Sequence, residues 1–386
     1  MTANFRRRPT HLRIQLDAME SNLNVVREHV GSSRIMAVLK ADAYGHGLVV
    51  SARKFADLGV DFFGVAFPEE GVQLRQAGIE APILVLGGLV GYQVKHFLDY
   101  HLDITASSLQ KAEQISSEAQ RMGRTARVHL KIDTGMNRIG VRAENAVAFA
   151  LEVAQLPRLE IVGIFSHFVG DPGTGLELGR HQLRLFKQVL EEIVAGGLQV
   201  PLVHMANSFA LYNLEGAHFD MVRPGLTLFG YAPGGKDRTD WPLTPALSAH
   251  TEIVYIKGIR EGMGVGYMHS WKAPRDGWLA TLPVGYGDGY PRILSNRSHV
   301  LINEKAFPVV GNISMDQMMV WLGDERYEVG EDVVLVGRQG RAQIGAWELA
   351  RKGETLAYEI LCGWTPRVPR VYEGSGWKPH GSLMAG

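Results

Sequence analysis

Short apolar runs alternate with amphipathic segments along the first two thirds of the chain. Eight runs have the length of a buried strand, and between them the apolar positions follow the three-to-four-residue spacing of helices. This alternation predicts an α/β fold, a parallel (β/α)8 barrel of the TIM type, with an open doubly wound sheet as the alternative. The predicted strands are Ile35–Leu39, Phe62–Phe67, Ile83–Leu86, Asp103–Thr105, Ala126–Ile132, Glu160–Phe165, Leu202–Met205 and Met221–Val222; the predicted helices span 16–30, 47–58, 69–76, 91–99, 107–122, 142–155, 177–196 and 208–213.

The pattern changes after Tyr231. A polar segment rich in Pro and Gly, residues 232–242, predicts a connector between domains. Beyond it, short apolar runs separated by Gly, Asp and Asn turns predict a mainly β domain with one helix, Ile344–Lys352. We therefore expect a barrel domain at 1–242 and a β domain at 243–386. The β strands are expected at Ala246–Ile259, Trp278–Val284, His299–Ile302, Ala306–Val310, Met318–Trp321 and Asp332–Gly337.

Composition narrows the class of protein. The chain has 386 residues, of which 46% are hydrophobic, and 40 basic residues balance 40 acidic ones, so no excess charge favours a nucleic acid or a membrane surface. No apolar run has the length of a membrane span, and no signal peptide is recognisable at the N-terminus. The single cysteine, Cys362, cannot form an intramolecular disulfide. A cytoplasmic protein with no nucleic-acid or membrane partner is expected.

A lysine follows the first predicted barrel strand directly. Lys40 ends the apolar run Ile35–Leu39 and is followed by a Gly-His-Gly turn. Barrel enzymes carry their functional groups at the carboxyl ends of strands. Burial there would lower the pKa of the amine, as a Schiff-base lysine requires. A solvated lysine just past a strand is the alternative, and position alone does not decide between them.

Charged residues also follow the fifth predicted strand. Lys131, Asp133 and Arg138 lie within one short segment that contains two glycines, where the backbone can approach another group closely. This grouping is typical of a binding site, with an internal salt bridge as the alternative. His167 follows the sixth strand, a position at which a lone histidine is more often structural than catalytic.

The seventh and eighth strands end in two further polar groups, His204–Ser208 and Arg223–Leu226. These two strand ends form the recurrent phosphate site of barrel enzymes, so Ser208 is either a phosphate ligand or the cap of the following helix. Arg223 lies among apolar residues and needs a partner, for which His167 is a candidate. No group of residues has the spacing of a metal site or forms an evident Ser-His-Asp set.

Taken together, these motifs resemble the alanine racemases, a family of fold-type III enzymes that depend on pyridoxal 5′-phosphate. The segment Ala37–Gly47 is similar to the family's cofactor attachment motif. The resemblance continues in order and covers nearly the whole chain, through Lys131–Gly140, Ser166–His167, Asn207–Ser208, Arg223–Gly225, Gly264–Tyr267, Gly285–Arg292, Ser314–Gln317 and Tyr358–Ile360.

The resemblance implies two catalytic bases on opposite faces of the cofactor. Lys40 would attach pyridoxal phosphate, and Tyr267 would come from the second subunit of a homodimer with shared active sites. Arg223 would face the pyridine nitrogen, and Lys131 would be open to conversion to a carbamate that orients Arg138. The residues implied to hold the cofactor are Lys40, Tyr44, His167, Asn207, Ser208, Arg223, Gly225, Leu226 and Tyr358; those implied to bind substrate are Arg138, Met315 and Asp316; no metal is implied.

The implied function is the interconversion of L-alanine and D-alanine, which supplies D-alanine for peptidoglycan. The alternatives are a racemase of broader specificity, a decarboxylase on a related architecture, and a non-catalytic pyridoxal-phosphate carrier, which would lack the β domain and Tyr267. The chain departs from the family pattern at three positions. Ser314 stands where a cysteine is common, Asn312 where an arginine is common, and Phe209 where a small residue is common.

Overall fold

The structure is a computed structural model that describes residues 8–170, 175–235 and 241–376. Of the predicted connector, residues 236–240 lie outside the described residues. The chain divides into two compact units. The barrel unit comprises Met19–Ala43 and Gly47–Thr244, and the β unit comprises the residues up to Ala18, Tyr44–His46 and the chain from Pro245 onward. No helix in the described ranges is long and apolar enough to span a membrane.

The barrel unit contains a closed ring of eight parallel strands, which confirms the predicted barrel and excludes the open sheet. The ring order is β5-β4-β3-β2-β10-β9-β8-β6, and β5 pairs with β6 to close it. Apolar side chains from six of these strands (Met36, Phe62, Leu84, Val162, Leu202 and Met221) form a core cluster. The strands of this unit are β2 (Arg34–Val38), β3 (Phe62–Val65), β4 (Ile83–Val85), β5 (Asp103–Ala106), β6 (Ala126–Asp133), β7 (Val141–Arg142), β8 (Leu159–Phe165), β9 (Leu202–Asn207) and β10 (Met221–Arg223).

Amphipathic helices follow the barrel strands and cover them, as the apolar spacing predicts. Each predicted helix is present within a few residues of its expected bounds. The helices are α1 (Leu16–Val30), the left-handed turn α2 (Lys40–Tyr44), α3 (Leu48–Asp57), α4 (Pro68–Gln76), α5 (Val94–Asp99), α6 (Leu109–Arg121), α7 (Ala146–Ala154), α8 (Leu176–Ala195) and α9 (Ser208–Asn213); 3₁₀ helices lie at Gly91–Gln93, Ala143–Asn145, Leu226–Phe229 and Pro233–Gly235.

The β unit is a mainly antiparallel sheet in the order β12-β15-β18-β17-β16-β19-β11-β1-β21, with β20 paired to β19. Its elements are β1 (His11–Gln15), β11 (Leu247–Glu252), β12 (Tyr255–Ile259), β13 (Gly264–Val265), β14 (Trp271–Lys272), β15 (Gly277–Leu282), β16 (His299–Ile302), β17 (Lys305–Val310), β18 (Met318–Gly323), β19 (Asp332–Gln339), β20 (Ala342–Ile344), α10 (Ala346–Lys352), α11 (Ala357–Cys362) and β21 (Arg370–Glu373); 3₁₀ helices lie at Tyr267–His269, Tyr286–Asp288 and Arg292–Leu294.

The N-terminal strand belongs to the β unit, whereas the predicted division placed it with the barrel. β1 pairs antiparallel with β11 and parallel with β21, so the start of the chain is held by strands distant in sequence. The predicted strand Ala246–Ile259 is two strands, β11 and β12. The sequence pattern did not predict α11, a helix of six residues in the β unit.

Candidate active site

Lys40 lies two residues after the last residue of β2, at the carboxyl end of the barrel, and is half-buried. The four residues after it, Ala41 to Tyr44, all have φ near +54° and form a left-handed turn. Such a conformation costs about 1–2 kcal/mol for each residue that has a side chain. A strained turn of this kind persists only where surrounding contacts impose it, and it fixes the direction in which the chain leaves Lys40.

Glu70 is one contact that holds this turn. One carboxylate oxygen accepts from the backbone N–H of Ala41 (2.8 Å), and the other accepts from Ala66 (2.8 Å), which follows β3. Asp42 contributes a second restraint, because its carboxylate accepts from the backbone N–H of Leu48 (2.7 Å) at the start of α3. The loops after two neighbouring strands are therefore tied together beside Lys40.

Lys131 is 3% exposed on β6, and its Nζ makes no hydrogen bond with any described residue. It lies 4.6 Å from the ring centroid of Phe165. Burial, followed by the charges of Arg223 and Arg138, lowers the pKa of Lys131 well below its ordinary value, which favours the neutral amine. A Cβ at Gly140 would come within 2.9 Å of Lys131 Cγ, which explains that glycine. The alternative of an internal salt bridge at Lys131 is wrong.

The loop that carries Arg138 is ordered by its neighbours. Asp133 accepts two backbone N–H groups further along the loop (2.9 and 3.1 Å), while the Arg138 side chain itself is exposed. Thr134 and Ser166 share a hydrogen bond of 2.8 Å between their hydroxyl groups. The buried Gln182 of α8 donates to the backbone carbonyl of His167 (3.1 Å). The ends of β6 and β8 are thereby fixed to one helix.

Arg223 ends β10, is 3% exposed, and donates only to neutral acceptors. Its Nη1 lies 2.8 Å from His204 Nδ1, and its Nη2 lies 2.8 Å from Ser166 O, 3.0 Å from Met205 O and 3.3 Å from His167 Nδ1. Burial lowers the pKa of Arg223 to about 9, which leaves the guanidinium charged at neutral pH. Burial and the charge of Arg223 hold the pKa of both histidines well below the ordinary value, so both rings are neutral. His167 is therefore an acceptor for Arg223, as predicted.

The ends of β9 and β10 meet at a hydroxyl group. Asn207, and not Ser208 as one alternative had it, caps α9, because its side-chain oxygen accepts from the backbone N–H of Ala210. Ser208 is buried, and its Oγ accepts from the backbone N–H of Gly225 at 3.2 Å. Leu226 is buried and begins a 3₁₀ helix immediately after this contact. The two predicted phosphate loops are thus adjacent.

Within the β unit, Tyr44 and Tyr358 lie together. Their ring centroids are 6.1 Å apart, with the planes at 57°. Tyr44 is 5% exposed, and burial raises the pKa of Tyr358, so its hydroxyl keeps its proton. Two tyrosines that are more than three hundred positions apart in the sequence therefore form one polar group.

Tyr267 is presented by the loop between β13 and β14 and is 71% exposed. The next two residues, Met268 and His269, both have positive φ, which turns the chain sharply after the tyrosine. The Asn312 side chain donates to the backbone carbonyl of Tyr267 at 2.8 Å. The asparagine that departs from the family pattern therefore supports the predicted base.

Met315 and Asp316 lie on a neighbouring loop of the β unit, and both are exposed. The backbone carbonyls of Ser314 and Met315 accept from the loop at 285–289 at 3.1 and 2.9 Å. Arg367 donates to Asp316 (2.6 Å) and lies 3.4 Å from the buried Asp288. These contacts hold Met315 in an exposed position.

Two models of known protein families match this chain. Residues 14–233 match the family model "Alanine racemase, N-terminal domain", and residues 246–372 match "Alanine racemase, C-terminal domain". The chain belongs to the alanine racemase family.

Similar proteins agree with this membership. The alanine racemase of Symbiobacterium thermophilum is 42% identical over 370 residues, covering 95% of this chain and 98% of the relative. A solved structure of alanine racemase from Clostridium difficile 630 has a TM-score of 0.90 at 34% identity, covering 95% of this chain and 96% of that one. A histidine racemase from Leuconostoc mesenteroides subsp. sake has a TM-score of 0.86 at 29% identity, covering 96% of this chain and 99% of that one.

Phe209, a departure from the alanine racemase pattern, is accommodated by a neighbouring glycine. The side chain is 4% exposed, and a Cβ at Gly170 would lie 1.9 Å from its Cε1 atom. The larger side chain therefore occupies space that a missing Cβ leaves beside the loop after β8.

The sequence did not predict two residues that order the candidate site, Glu70 and Gln182. Glu70 stands at the third position of α4, where a glutamate usually indicates a helix cap. Gln182 lies in the middle of an amphipathic helix and carries no local signal. Their roles depend on which loops the barrel brings beside them.

Proposed function

We propose that the protein is a pyridoxal-phosphate-dependent alanine racemase. The observation that carries the proposal is the convergence of Lys40, Arg223 and Ser208 at the carboxyl ends of three adjacent strands, β2, β10 and β9. The backbone N–H of Val38 donates to Pro224 O at 3.0 Å, so the segment that ends at Lys40 runs beside the segment that follows Arg223. A lysine, a buried cation and a phosphate-type loop meet there.

The residues at this site fit the cofactor. Ser208, with the backbone at Gly225 and Leu226, offers hydroxyl and N–H donors for the phosphate at the strand ends where barrels usually bind one. Asn207 fixes that loop, and Tyr44 with Tyr358 would complete the phosphate site. Arg223 cannot give up its proton readily, so it would leave the pyridine nitrogen that it faces unprotonated.

When bound, pyridoxal phosphate withdraws electrons from Cα of the amino acid and so makes the α-proton removable. Inversion then needs a proton removed on one face and returned on the other, which favours two bases. Lys40 would handle the proton on one face. Tyr267, contributed by a second copy of the chain, would handle the other. Arg138 would bind the substrate, together with Met315 and Asp316 contributed by the same second copy as Tyr267.

A homodimer is part of the proposal because the loop that presents Tyr267 is exposed and apolar. Tyr267 is 71% exposed and Met268 is 91% exposed within the β unit. Large apolar side chains at such positions are typical of surfaces that a partner covers. A second copy would cover them while inserting its own Tyr267.

A cytoplasmic location and a role in supplying D-alanine for peptidoglycan complete the proposal. The single cysteine, Cys362, is consistent with a reducing compartment, where disulfides are rare. A second candidate, a racemase of broader specificity, is favoured by one comparison. The similar Leuconostoc protein is named a histidine racemase. A protein of similar structure is thus named for an amino acid other than alanine.

The proposal is tested with the purified protein, added pyridoxal phosphate and single amino acids. We expect an absorbance band of lysine-bound cofactor and the loss of optical rotation of L-alanine. A panel that includes L-histidine and L-serine separates the two candidates. Faster racemisation of another amino acid would favour broad specificity, and no racemisation of any would contradict both.

A carbamate at Lys131 is expected, because a neutral amine attacks CO2 while a protonated one does not. The attack forms an N–C bond, breaks one C–O π bond of CO2 and releases one proton, and the resulting anion would be stabilised by the charges of Arg223 and Arg138, which both act on Lys131. In ¹³C-bicarbonate buffer, the protein should give a carbamate carbon signal that Lys131→Met lacks. Lys305→Met is the control, because Lys305 is exposed and pairs with Glu325. A signal that survives in Lys131→Met would contradict the assignment.

Arg223→Glu should change the cofactor's chemistry. A carboxyl group at this position can protonate the pyridine nitrogen, which strengthens electron withdrawal and favours side reactions. We expect a shifted cofactor absorbance, slower racemisation and a gain in transamination per turnover. Arg142→Glu, at an exposed position paired with Glu144, is the charge-matched control. An unchanged spectrum without added transamination would refute this role of Arg223.

A further inference from the structure

A row of buried polar side chains crosses the interior of the barrel below Arg223. His204 Nε2 lies 2.9 Å from His129 Nδ1, and His129 Nε2 lies 3.3 Å from Asp103 Oδ2. Together with the contact of 2.8 Å between Arg223 Nη1 and His204 Nδ1, these form one continuous chain. Both imidazole rings are fully buried, and Asp103 is 2% exposed. This hydrogen-bond chain runs from Asp103, the first residue of β5, to Arg223, the last residue of β10.

The proton positions along this chain follow from its two ends. Arg223 can only donate, so His204 Nδ1 must be an acceptor. His204 therefore carries its proton on Nε2 and donates to His129 Nδ1. His129 in turn carries its proton on Nε2 and donates to Asp103, which as a carboxylate can only accept. Every hydrogen bond points from the arginine toward the carboxylate, and no other pair of tautomers satisfies all three contacts.

The carboxylate end is well anchored. Arg127 donates from Nε to Asp103 Oδ1 at 2.8 Å and also pairs with Glu160 at 3.2 Å. Burial disfavours ionisation of Asp103, but the hydrogen bonds from His129 and Arg127 outweigh it and hold the pKa of Asp103 below its ordinary value. The acceptor is therefore permanently charged at neutral pH.

The barrel also makes room for the two rings. A Cβ at Gly163 would come within 2.7 Å of His129 Nδ1, at the atom that receives the His204 proton. The ring of Phe165 stacks on His204 with centroids 4.8 Å apart and planes within 6°. Phe62 meets His129 edge-on at 6.2 Å. The ring planes are thereby held, and the hydrogen bonds set the tautomer of each ring.

We propose that Asp103 and His129 are positioning residues that lock His204 as an acceptor and thereby orient the Arg223 guanidinium. In a catalytic triad, a carboxylate holds a histidine in one tautomer and orientation. Here Asp103 would do the same for His204, but through the ring of His129. This inference rests on the proposed function, in which Arg223 faces the cofactor. If the lock is lost, His204 can carry a proton on Nδ1, and that proton would oppose the N–H of Arg223.

Two double variants isolate the acceptor. Arg127→Met removes the donor that competes with His129 for the side chain at position 103. Asp103 is then changed to Asn or to Leu, which have the same shape. In Asp103→Asn/Arg127→Met the amide oxygen can face His129, so the lock is kept. In Asp103→Leu/Arg127→Met no acceptor remains. Both variants lose the same charges, and Arg127→Met alone serves as the control.

The first measurement is the ¹⁵N spectrum of histidine-labelled protein without cofactor, recorded on the unaltered protein and then on both double variants. His129 and His204 should both be neutral with the proton on Nε2. The Asn variant should keep these signals, and the Leu variant should show a second tautomer. A proton on Nδ1 of His204 in the unaltered protein, or identical spectra for the Asn and Leu variants, would overturn the proposal.

The second measurement uses protein loaded with pyridoxal phosphate. We expect a shifted cofactor absorbance and a several-fold lower kcat at nearly unchanged KM in the Leu variant, with the Asn variant matching Arg127→Met. Equal absorbance and kcat in the two double variants would overturn the proposal. If the unaltered protein forms no cofactor band, the proposed function fails, while the tautomer result without cofactor still decides the hydrogen-bond chain.

Discussion

Lys40→Ala should abolish racemisation of alanine from both enantiomers, together with the absorbance band of lysine-bound cofactor. In the proposed function, the variant removes both the attachment point and one of the two bases. Loss of a general base alone costs about 10²–10⁴-fold in rate, and loss of the attachment adds to this. Optical rotation assays with L- and D-alanine measure the rate, and the absorbance spectrum reports the attachment.

The barrel should remain folded in this variant, because Lys40 is half-buried and the backbone contacts of the following turn do not use its side chain. Lys54→Ala is a suitable control. It removes a lysine that pairs with Glu20 on the outer helices. Retention of the cofactor band in Lys40→Ala, with its loss in Lys54→Ala, would refute the assignment of Lys40.

Tyr267→Phe should lower racemisation about 10²–10⁴-fold while leaving one half of the reaction intact. The two enantiomers have equal free energy, so kcat/KM must fall equally in both directions for any variant. The asymmetry therefore appears in hydrogen exchange at Cα. If Tyr267 serves the face of L-alanine, D-alanine should still exchange its α-proton with deuterated solvent through Lys40, with retained configuration, whereas L-alanine should not.

Exchange is followed by NMR or mass spectrometry, with chiral separation of the two enantiomers. Tyr255→Phe is the control, since Tyr255 is an exposed tyrosine on β12 of the same unit. Equal exchange of both enantiomers in Tyr267→Phe would show that the tyrosine is not the base on one face. Exchange of L-alanine alone would reverse the face assignment.

The departures from the family pattern at Asn312 and Ser314 affect the surroundings of Tyr267 more than those of Lys40. Asn312 holds the backbone of Tyr267, and the backbone carbonyl of Ser314, next to Met315, accepts from the N–H of Tyr286. Neither residue belongs to the barrel, so cofactor attachment should not depend on them. Their effect should appear in the choice of amino acid, which the substrate panel measures.

The sequence by itself determined the barrel and the positions of most candidate residues. Strand and helix periods differ, so their alternation is visible in the order of apolar residues. Parallel strands point the same way, which means that residues directly after each strand collect at one end of the barrel. Lys40, Lys131, Ser208 and Arg223 could be grouped on that basis.

Only the tertiary structure decided the features that depend on contacts between distant segments. Ala41 to Tyr44 adopt a left-handed turn that their side chains disfavour, because Glu70 and Asp42 supply the compensating hydrogen bonds. The strand β1 joins the β unit because β11 and β21 are its partners. Asp103 and His129 looked like ordinary strand residues, since a hydrogen bond across a barrel interior leaves no period in the sequence.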